Sequence, residues 1–100
     1  MTYVRIFEYV AAASTVETFV RVYGSDGDWA RLFAQSDGFR GTELLRSTVD
    51  PLRFVTIDRF VDAAAWERFR EQHATAYEAL GTRYGDLSVS QGEVCAAVTL

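Results

Sequence analysis

Hydrophobic and polar residues alternate along four segments of the chain, and this alternation predicts four strands. The segments 3–10, 39–47, 53–61 and 87–98 are rich in aromatic and β-branched residues, which favour extended structure. Between the first two strands, apolar side chains recur at helical spacing over residues 16–23 and again over 29–33. The sequence STVE at residues 14–17 is typical of a capping box and marks the start of the first helix. Gly92 is predicted to form a bulge in the last strand.

The third strand leads into a helix that carries the only histidine of the chain. Asp62 is placed to cap this helix, and Gly81 and Gly85 are placed to end it. At about 100° per residue, one side of the helix is apolar and consists of Ala65, Trp66, Phe69, His73, Ala76, Tyr77 and Leu80. The opposite side carries Glu67, Arg68, Glu71, Thr75 and Glu78. The spacing therefore predicts that His73 lies in the middle of an apolar stripe and not on the solvent face.

The predicted order of elements is β-α-β-β-α-β, which is the order of the α+β ferredoxin-like fold. That fold is a four-stranded antiparallel sheet with its helices on one face. One hundred residues, of which 49% are hydrophobic, are enough for a single domain with one core, spanning residues 1–100. The first and third strands carry large apolar residues on both faces, whereas the helices can cover only one. We therefore expect a homodimer in which a second copy covers the other face.

Composition excludes several classes of function. The chain has no lysine and its ten cationic side chains are all arginine, which excludes Schiff-base chemistry, covalent pyridoxal phosphate and a P-loop. One cysteine and one histidine cannot form a Cys/His zinc site, and neither a metal nor another cofactor is predicted. A net charge of −4 argues against a nucleic-acid partner. No apolar run approaches the roughly 20 residues of a membrane span, and the first residues do not resemble a signal peptide, so the predicted location is the cytoplasm.

Two sequence patterns are similar to those of the strands and helices of one known family. The first is a strand with an aromatic–acid–aromatic pattern that runs into a capped helix, and it consists of Phe54, Asp58, Phe60, Asp62, Ala65 and Phe69. The second is the segment DGFRGTELLRS at residues 37–47. Together they resemble the antibiotic biosynthesis monooxygenase family, which is part of the dimeric α+β barrel superfamily. The resemblance implies a homodimer whose sheets face each other, with a small-molecule pocket between the helices and the sheet of each subunit.

The resemblance also implies an activity. Some members oxygenate aromatic polyketides or quinols without metal or flavin, and others bind and degrade haem. The haem-degrading members use an asparagine on the first strand and a tryptophan on the second helix, whereas this chain has no asparagine and places Phe69 where that tryptophan would be. The first hypothesis is therefore a cofactor-free monooxygenase that acts on a small phenolic, quinol or polyketide-like compound. The alternative is a non-catalytic dimeric protein that binds a small apolar or aromatic molecule or serves as an accessory subunit.

Seven residues form the predicted site. His73 is the candidate base because an unperturbed imidazole titrates near neutral pH, and Asp58 is the candidate that orients it. The residues predicted to contact the substrate, as walls or as cations that stabilise an anion, are Trp66, Phe69, Tyr77, Arg70 and Arg5. Each also has a purely structural alternative. These are a buried histidine satisfied by the backbone or by Asp58, an ion pair of Asp58 with Arg5 or Arg46, aromatic side chains that form the core, and a solvated Arg70.

Overall fold

The computed structural model describes all 100 residues and consists of an antiparallel sheet with helices packed on one side. Its elements are β1 (Tyr3–Ala11), α1 (Val16–Tyr23), α2 (Asp28–Phe33), β2 (Phe39–Arg46), β3 (Arg53–Phe60), α3 (Ala63–Gln72), α4 (Ala74–Tyr84) and β4 (Ser88–Val98). The strand order is β2-β3-β1-β4, and every neighbouring pair is antiparallel. The predicted ferredoxin-like α+β fold is confirmed, with strand ends that differ from the predicted ones by one residue.

The helix predicted after the third strand is in fact two helices, which meet at His73. The backbone of His73 has φ −123° and ψ 24°, which lies outside the α-helical region. Its N–H still donates to the Phe69 carbonyl at 2.9 Å, and its carbonyl accepts from the Tyr77 N–H at 2.9 Å. His73 therefore lies at a joint and not inside a continuous stripe. The helical wheel failed here because it assumes one unbroken helix, and Gly81, predicted to end the helix, lies within α4.

Of three local features predicted from the sequence, the structure confirms one. The Asp62 carboxylate accepts from the Ala65 N–H at 2.8 Å, which confirms Asp62 as the cap of α3. The capping box predicted at residues 14–17 does not form, because a 3₁₀ turn at Ala13–Thr15 precedes α1 and no side chain caps it. The predicted bulge at Gly92 is also wrong. Gly92 pairs regularly with Glu8, and the register shift next to it leaves Val94 as the extra residue.

The core lies between the helices and one side of the sheet, which we call the helix face. On β3 this face carries Phe54, Thr56, Asp58 and Phe60, all of them buried. Two clusters of buried residues form there. One consists of Tyr9, Ala11, Phe19, Val22, Tyr23 and Phe54. The other consists of Leu32, Phe33, Phe60, Ala65, Trp66 and Phe69. Thr56 and Asp58 lie between Phe54 and Phe60 along the strand, so that polar groups separate the two clusters.

The opposite side of the sheet, which we call the open face, has no helix over it. Strand register places on it the apolar side chains Val4, Ile6, Val10, Leu45, Val55 and Ile57. Two ion pairs, Glu8 with Arg53 and Glu43 with Arg59, flank these residues. Leu45 on β2 remains 43% exposed. The chain's own helices thus leave an apolar face uncovered. None of these helices combines the length and the hydrophobicity needed to cross a lipid bilayer.

Candidate functional site

A cavity of about 320 Å³ lies between the helix face of the sheet and the helices, at the junction of the two aromatic clusters. The sheet contributes Phe7, Tyr9, Thr42, Thr56 and Asp58; the helices contribute Tyr23, Trp29, Phe33 and Tyr77; and β4 contributes Gln91 and Gly92. Gln91 and Gly92 are exposed, so β4 forms the mouth. The volume is typical of a site for a small molecule, since such pockets usually measure roughly 300–1,000 Å³.

Asp58 is the only charged side chain in the wall of the cavity. It is 7% exposed, because the alternation of β3 directs it toward the helices. The Thr42 hydroxyl, on the neighbouring strand, donates to Asp58 Oδ1 at 2.6 Å. Burial raises the pKa of this carboxyl to about 6, although the Thr42 hydrogen bond and the positive charge of Arg5 both act to lower it. No protein donor bonds to Oδ2, so this oxygen is free to accept a proton.

Arg5 lies directly opposite Asp58 in the sheet register but pairs with another acid. Its guanidinium is 3.2 Å from the Glu93 carboxylate and lies between the Phe7 and Trp66 rings, 5.4 and 4.4 Å from their centroids. The ion pair considered between Asp58 and Arg5 or Arg46 is therefore not formed. Arg46 lies over the Phe54 ring instead, at 4.8 Å. Asp58 thus has a neutral hydroxyl as its hydrogen-bond partner, and desolvation by burial, which raises its pKa, outweighs that bond and the charge of Arg5.

The other polar groups of the wall are neutral hydrogen-bonding side chains. Burial raises the pKa of Tyr9 and the pKa of Tyr23, so that both phenols stay protonated at neutral pH. The Thr56 hydroxyl and the Trp29 indole N–H are buried and have no hydrogen-bond partner in the protein. The cavity therefore offers one titratable acid among aromatic rings and several uncharged donors.

Trp29 forms the roof of the cavity, and two contacts join its helix, α2, to α4. The Trp29 ring packs edge-on against Tyr77, with 5.3 Å between the ring centroids. The Tyr84 hydroxyl at the end of α4 donates to Asp28 Oδ2 at 2.6 Å, and this bond lowers the pKa of Asp28. These two contacts hold the helices that close the cavity from above.

The sequence profile of one family matches most of the chain. The antibiotic biosynthesis monooxygenase profile covers residues 3–79. The chain belongs to this family. No curated protein sequence matches the chain significantly. Proteins of the antibiotic biosynthesis monooxygenase family are typically dimeric.

Solved structures share the fold at low sequence identity. A Nitrosomonas europaea protein that carries the family's name has a TM-score of 0.72 at 18% identity, and the match covers 99% of this chain and 90% of that one. A Bordetella bronchiseptica protein with the same family name gives 0.74 at 13%, covering 99% and 97%. SnoaB, a cofactor-independent oxygenase from Streptomyces nogalater, gives 0.62 at 24%, covering 99% and 96%. These similarities extend over the whole fold, including β4, which follows the segment matched by the family profile.

The structure brings together two of the seven predicted site residues, Asp58 and Tyr77, in the cavity wall. Trp66 and Phe69 lie in the core cluster beside it, and Arg5 contacts Trp66. Arg70 is exposed, and its guanidinium is 4.7 Å from the centroid of the Tyr77 ring, just outside the cavity.

The structure does not bring His73 and Asp58 together. His73 is half-buried at the joint between α3 and α4, with its ring 5.1 Å from the Phe69 ring and outside the cavity wall. Its side chain makes no hydrogen bond to Asp58, whose one partner is Thr42. The catalytic role predicted for His73 stays a prediction that the shape of the cavity does not support.

Several residues of the cavity were not predicted from the sequence: Tyr9, Tyr23, Trp29, Thr42, Thr56 and Gln91. The alternation of β3 contains a signal for Thr56, since a residue two positions from Asp58 must share its face. Trp29 and Tyr23 had no comparable signal, because their apolar spacing is also that of an ordinary core helix. Nowhere in the chain do three His, Cys, Asp or Glu side chains converge as ligands of a metal.

Proposed function

We propose that this member of the family is a cofactor-independent monooxygenase that oxidises a small phenolic, quinol or polyketide-like compound in the cavity. The observation that carries the proposal is a buried carboxyl with a pKa of about 6 in a cavity otherwise lined by aromatic and neutral side chains. A general base works best when its pKa is close to the pH of the reaction. The fold shared with SnoaB, a cofactor-independent oxygenase, supports the same class of chemistry.

The proposed reaction needs a base, an apolar cavity and molecular oxygen. Asp58 Oδ2 removes a proton from the substrate and leaves an electron-rich aromatic anion. Oxygen accepts electrons from this anion and bonds to a ring carbon that still carries a hydrogen, and the resulting peroxide anion takes the proton back from Asp58 to become a hydroperoxide. Loss of water from the hydroperoxide leaves a carbonyl, so one oxygen atom enters the product and the other leaves as water. The aromatic wall keeps bulk water away from the anion while it reacts.

The neutral donors of the wall have a defined part in this reaction. Tyr9 and Tyr23 stay protonated because burial raises the pKa of each phenol. They can therefore donate hydrogen bonds to negative charge on the substrate or on bound oxygen, which stabilises the anion in a site of low polarity. Arg5 and Arg70 contribute positive charge nearby, since both lower the otherwise raised pKa of Tyr77.

Oxygen consumption with an anthrone as the substrate tests the proposal. Asp58→Asn should lower kcat/KM by about 100-fold or more, which is typical for the loss of a general base. Asp26→Asn changes an exposed loop acid in the same way and should leave the rate unchanged. The His73→Ala variant separates the two candidate bases. A large loss confined to His73→Ala would identify His73 as the base, and full activity in Asp58→Asn would contradict the proposal.

We further propose that the protein is a homodimer joined through the open face. No helix covers the six apolar side chains on this face, and the fact that proteins of this family are typically dimeric supports a second copy as the cover. Burial of this face against its equivalent would remove Leu45, which is 43% exposed, from water. Such a contact between identical surfaces is the usual arrangement of a two-fold dimer.

A further inference from the structure

Thr56 lies on the floor of the cavity and its hydroxyl has no hydrogen-bond partner. The residue is only 3% exposed, and its Oγ1 atom is fully buried. Buried hydroxyls in proteins nearly always have a partner, so an exception within a cavity needs an explanation. A ligand that fills the cavity would supply that partner.

The residues beside Thr56 in the sheet provide no partner for its hydroxyl. In the sheet register, Thr56 lies between Leu44 on β2 and Phe7 on β1, whose side chains contain no polar atom. The Tyr9 hydroxyl is the polar group that interacts with Thr56, which partly offsets the raised pKa of Tyr9, but the two side chains form no hydrogen bond in the structure. Asp58, by contrast, lies opposite Thr42 on the neighbouring strand and accepts a hydrogen bond from its hydroxyl.

Thr56 and Asp58 lie on the same face of β3, two residues apart, which corresponds to roughly 7 Å along the strand. Both belong to the wall of one cavity. A flat ring that lies over this floor can meet Asp58 with a group on one side and Thr56 with a group on the opposite side. A compound with a single oxygen meets only one of the two.

We propose that Thr56 is a specificity-determining residue of this site, and that its hydroxyl donates a hydrogen bond to a second oxygen on the opposite side of the aromatic ring whose first oxygen faces Asp58. This inference rests on the proposed function for the role of Asp58. It narrows the substrate class to aromatic compounds with two oxygens across a ring, as in a para-quinol or its ether. A site that is built to hydrogen-bond a polar group discriminates strongly against analogues that lack it.

Equilibrium binding of two stable probes tests the inference. We use 1-naphthol, which has one oxygen, and 4-methoxy-1-naphthol, which has a second oxygen across the same ring. Wild-type protein should bind the methoxy compound more tightly, and Thr56→Val should reduce this affinity by about five- to tenfold, the effect of one neutral hydrogen bond. The affinity for 1-naphthol should change by less than about twofold. Thr56→Ser keeps the hydroxyl and should retain the preference.

Thr56→Val is a suitable variant because valine has the same shape and also favours strands. Since the hydroxyl it removes has no partner, its thermal midpoint should be equal to or above that of the wild type. A lower midpoint would show that the hydroxyl is already satisfied within the protein and would overturn the inference. Equal losses for the two probes, no loss for either, or no preference of the wild type for the methoxy compound would overturn it as well.

The same experiment distinguishes this inference from the proposed function. Suppose that Thr56→Val selectively lowers the affinity for the methoxy compound, while the protein consumes no oxygen with any substrate. Thr56 then binds a ligand in a non-catalytic protein, and the oxygenase proposal is wrong. If oxygen consumption depends on Asp58 but Thr56→Val changes the affinity for both probes equally, the oxygenase proposal stands and the proposed role of Thr56 is wrong.

Discussion

At the scale of single residues, the chemistry of the site depends on opposing effects on the Asp58 carboxyl. Burial raises its pKa because a charged group loses its hydration, and the Thr42 hydrogen bond and Arg5 offset this only in part. The result is an acid that changes its protonation near pH 6. A fully paired carboxylate in the same position would be too weak a base for the proposed reaction.

The raised pKa of Asp58 predicts a specific dependence of stability on pH. Below pH 3.8 the carboxyl is protonated in both states, so no cost arises. As the pH rises, the unfolded chain ionises first, and the folded protein loses stability until its own carboxyl ionises near pH 6. A difference of about two units at about 1.4 kcal/mol per unit corresponds to about 3 kcal/mol.

Asp58→Asn removes this cost because an amide does not ionise. In urea unfolding, the free energy of the variant relative to wild type should therefore increase by about 2.4 kcal/mol between pH 4 and pH 7. The exposed Asp26→Asn variant provides the control. A constant difference between Asp58→Asn and wild type over this range would show that burial does not perturb the carboxyl.

The sequence predicted that Asp58 must find a partner, because it lies among apolar residues of a strand. It did not identify Thr42 as that partner. The pairing depends on the register between β2 and β3, and a shift of one residue would turn every side chain of β2 to the opposite face. Alternation within one strand defines its two faces but not the register with its neighbour.

At the scale of elements, α3 holds the second core cluster to the sheet. Phe69 is 1% exposed and packs against the Phe33 and Trp66 rings, whose centroids lie 5.3 and 5.7 Å away. Phe69→Ala should lower the free energy of unfolding by about 3–5 kcal/mol, as expected for emptying a buried aromatic site. Glu71→Ala, on the solvent side of the same helix, should change it by less than about 0.5 kcal/mol. Similar losses in chemical unfolding of the two variants would contradict the observed helical phase.

The sequence predicted the buried face of α3 correctly, since Ala65, Trp66 and Phe69 all lie in the core. It failed where the chain changes direction at His73. The residues around this joint contain neither glycine nor proline, so no local signal marks it. The non-helical backbone of His73 separates α3 from α4, and its side chain lies outside the cavity wall.

At the scale of the whole molecule, β4 borders both the cavity on the helix face and a groove on the open face. Gln91 and Gly92 contribute to the mouth of the cavity and also to a groove on the open face, together with Glu8, Arg53 and Val94. The order of elements was predictable because strand and helix periods are local properties of the sequence. The family resemblance implied a pocket between the helices and the sheet, but its lining was not predictable, because the cavity arises where Trp29 and Tyr77, which are distant in sequence, close over the sheet.

Gly92→Arg tests the proposed dimer. A side chain at this position would meet no atom of the chain within 4 Å, and the pairing of Gly92 with Glu8 directs it to the open face. In sedimentation equilibrium the wild type should have twice the mass of the 11.2 kDa chain. The variant should be a folded monomer by circular dichroism, because a charged side chain opposes burial of this face. A monomeric wild type, or a variant that dimerises equally well, would contradict the proposal.

The most direct test of the account is the pH dependence of oxygen consumption with the anthrone substrate, measured for wild type and Asp58→Asn. If Asp58 is the base, kcat/KM of the wild type should rise as the pH increases through about 6 and then become constant, because only the carboxylate accepts a proton. Asp58→Asn should lack this ionisation and remain about 100-fold slower throughout. A wild-type rate that is constant between about pH 5 and pH 8, or an Asp58→Asn variant with the wild-type profile, would contradict the central claim.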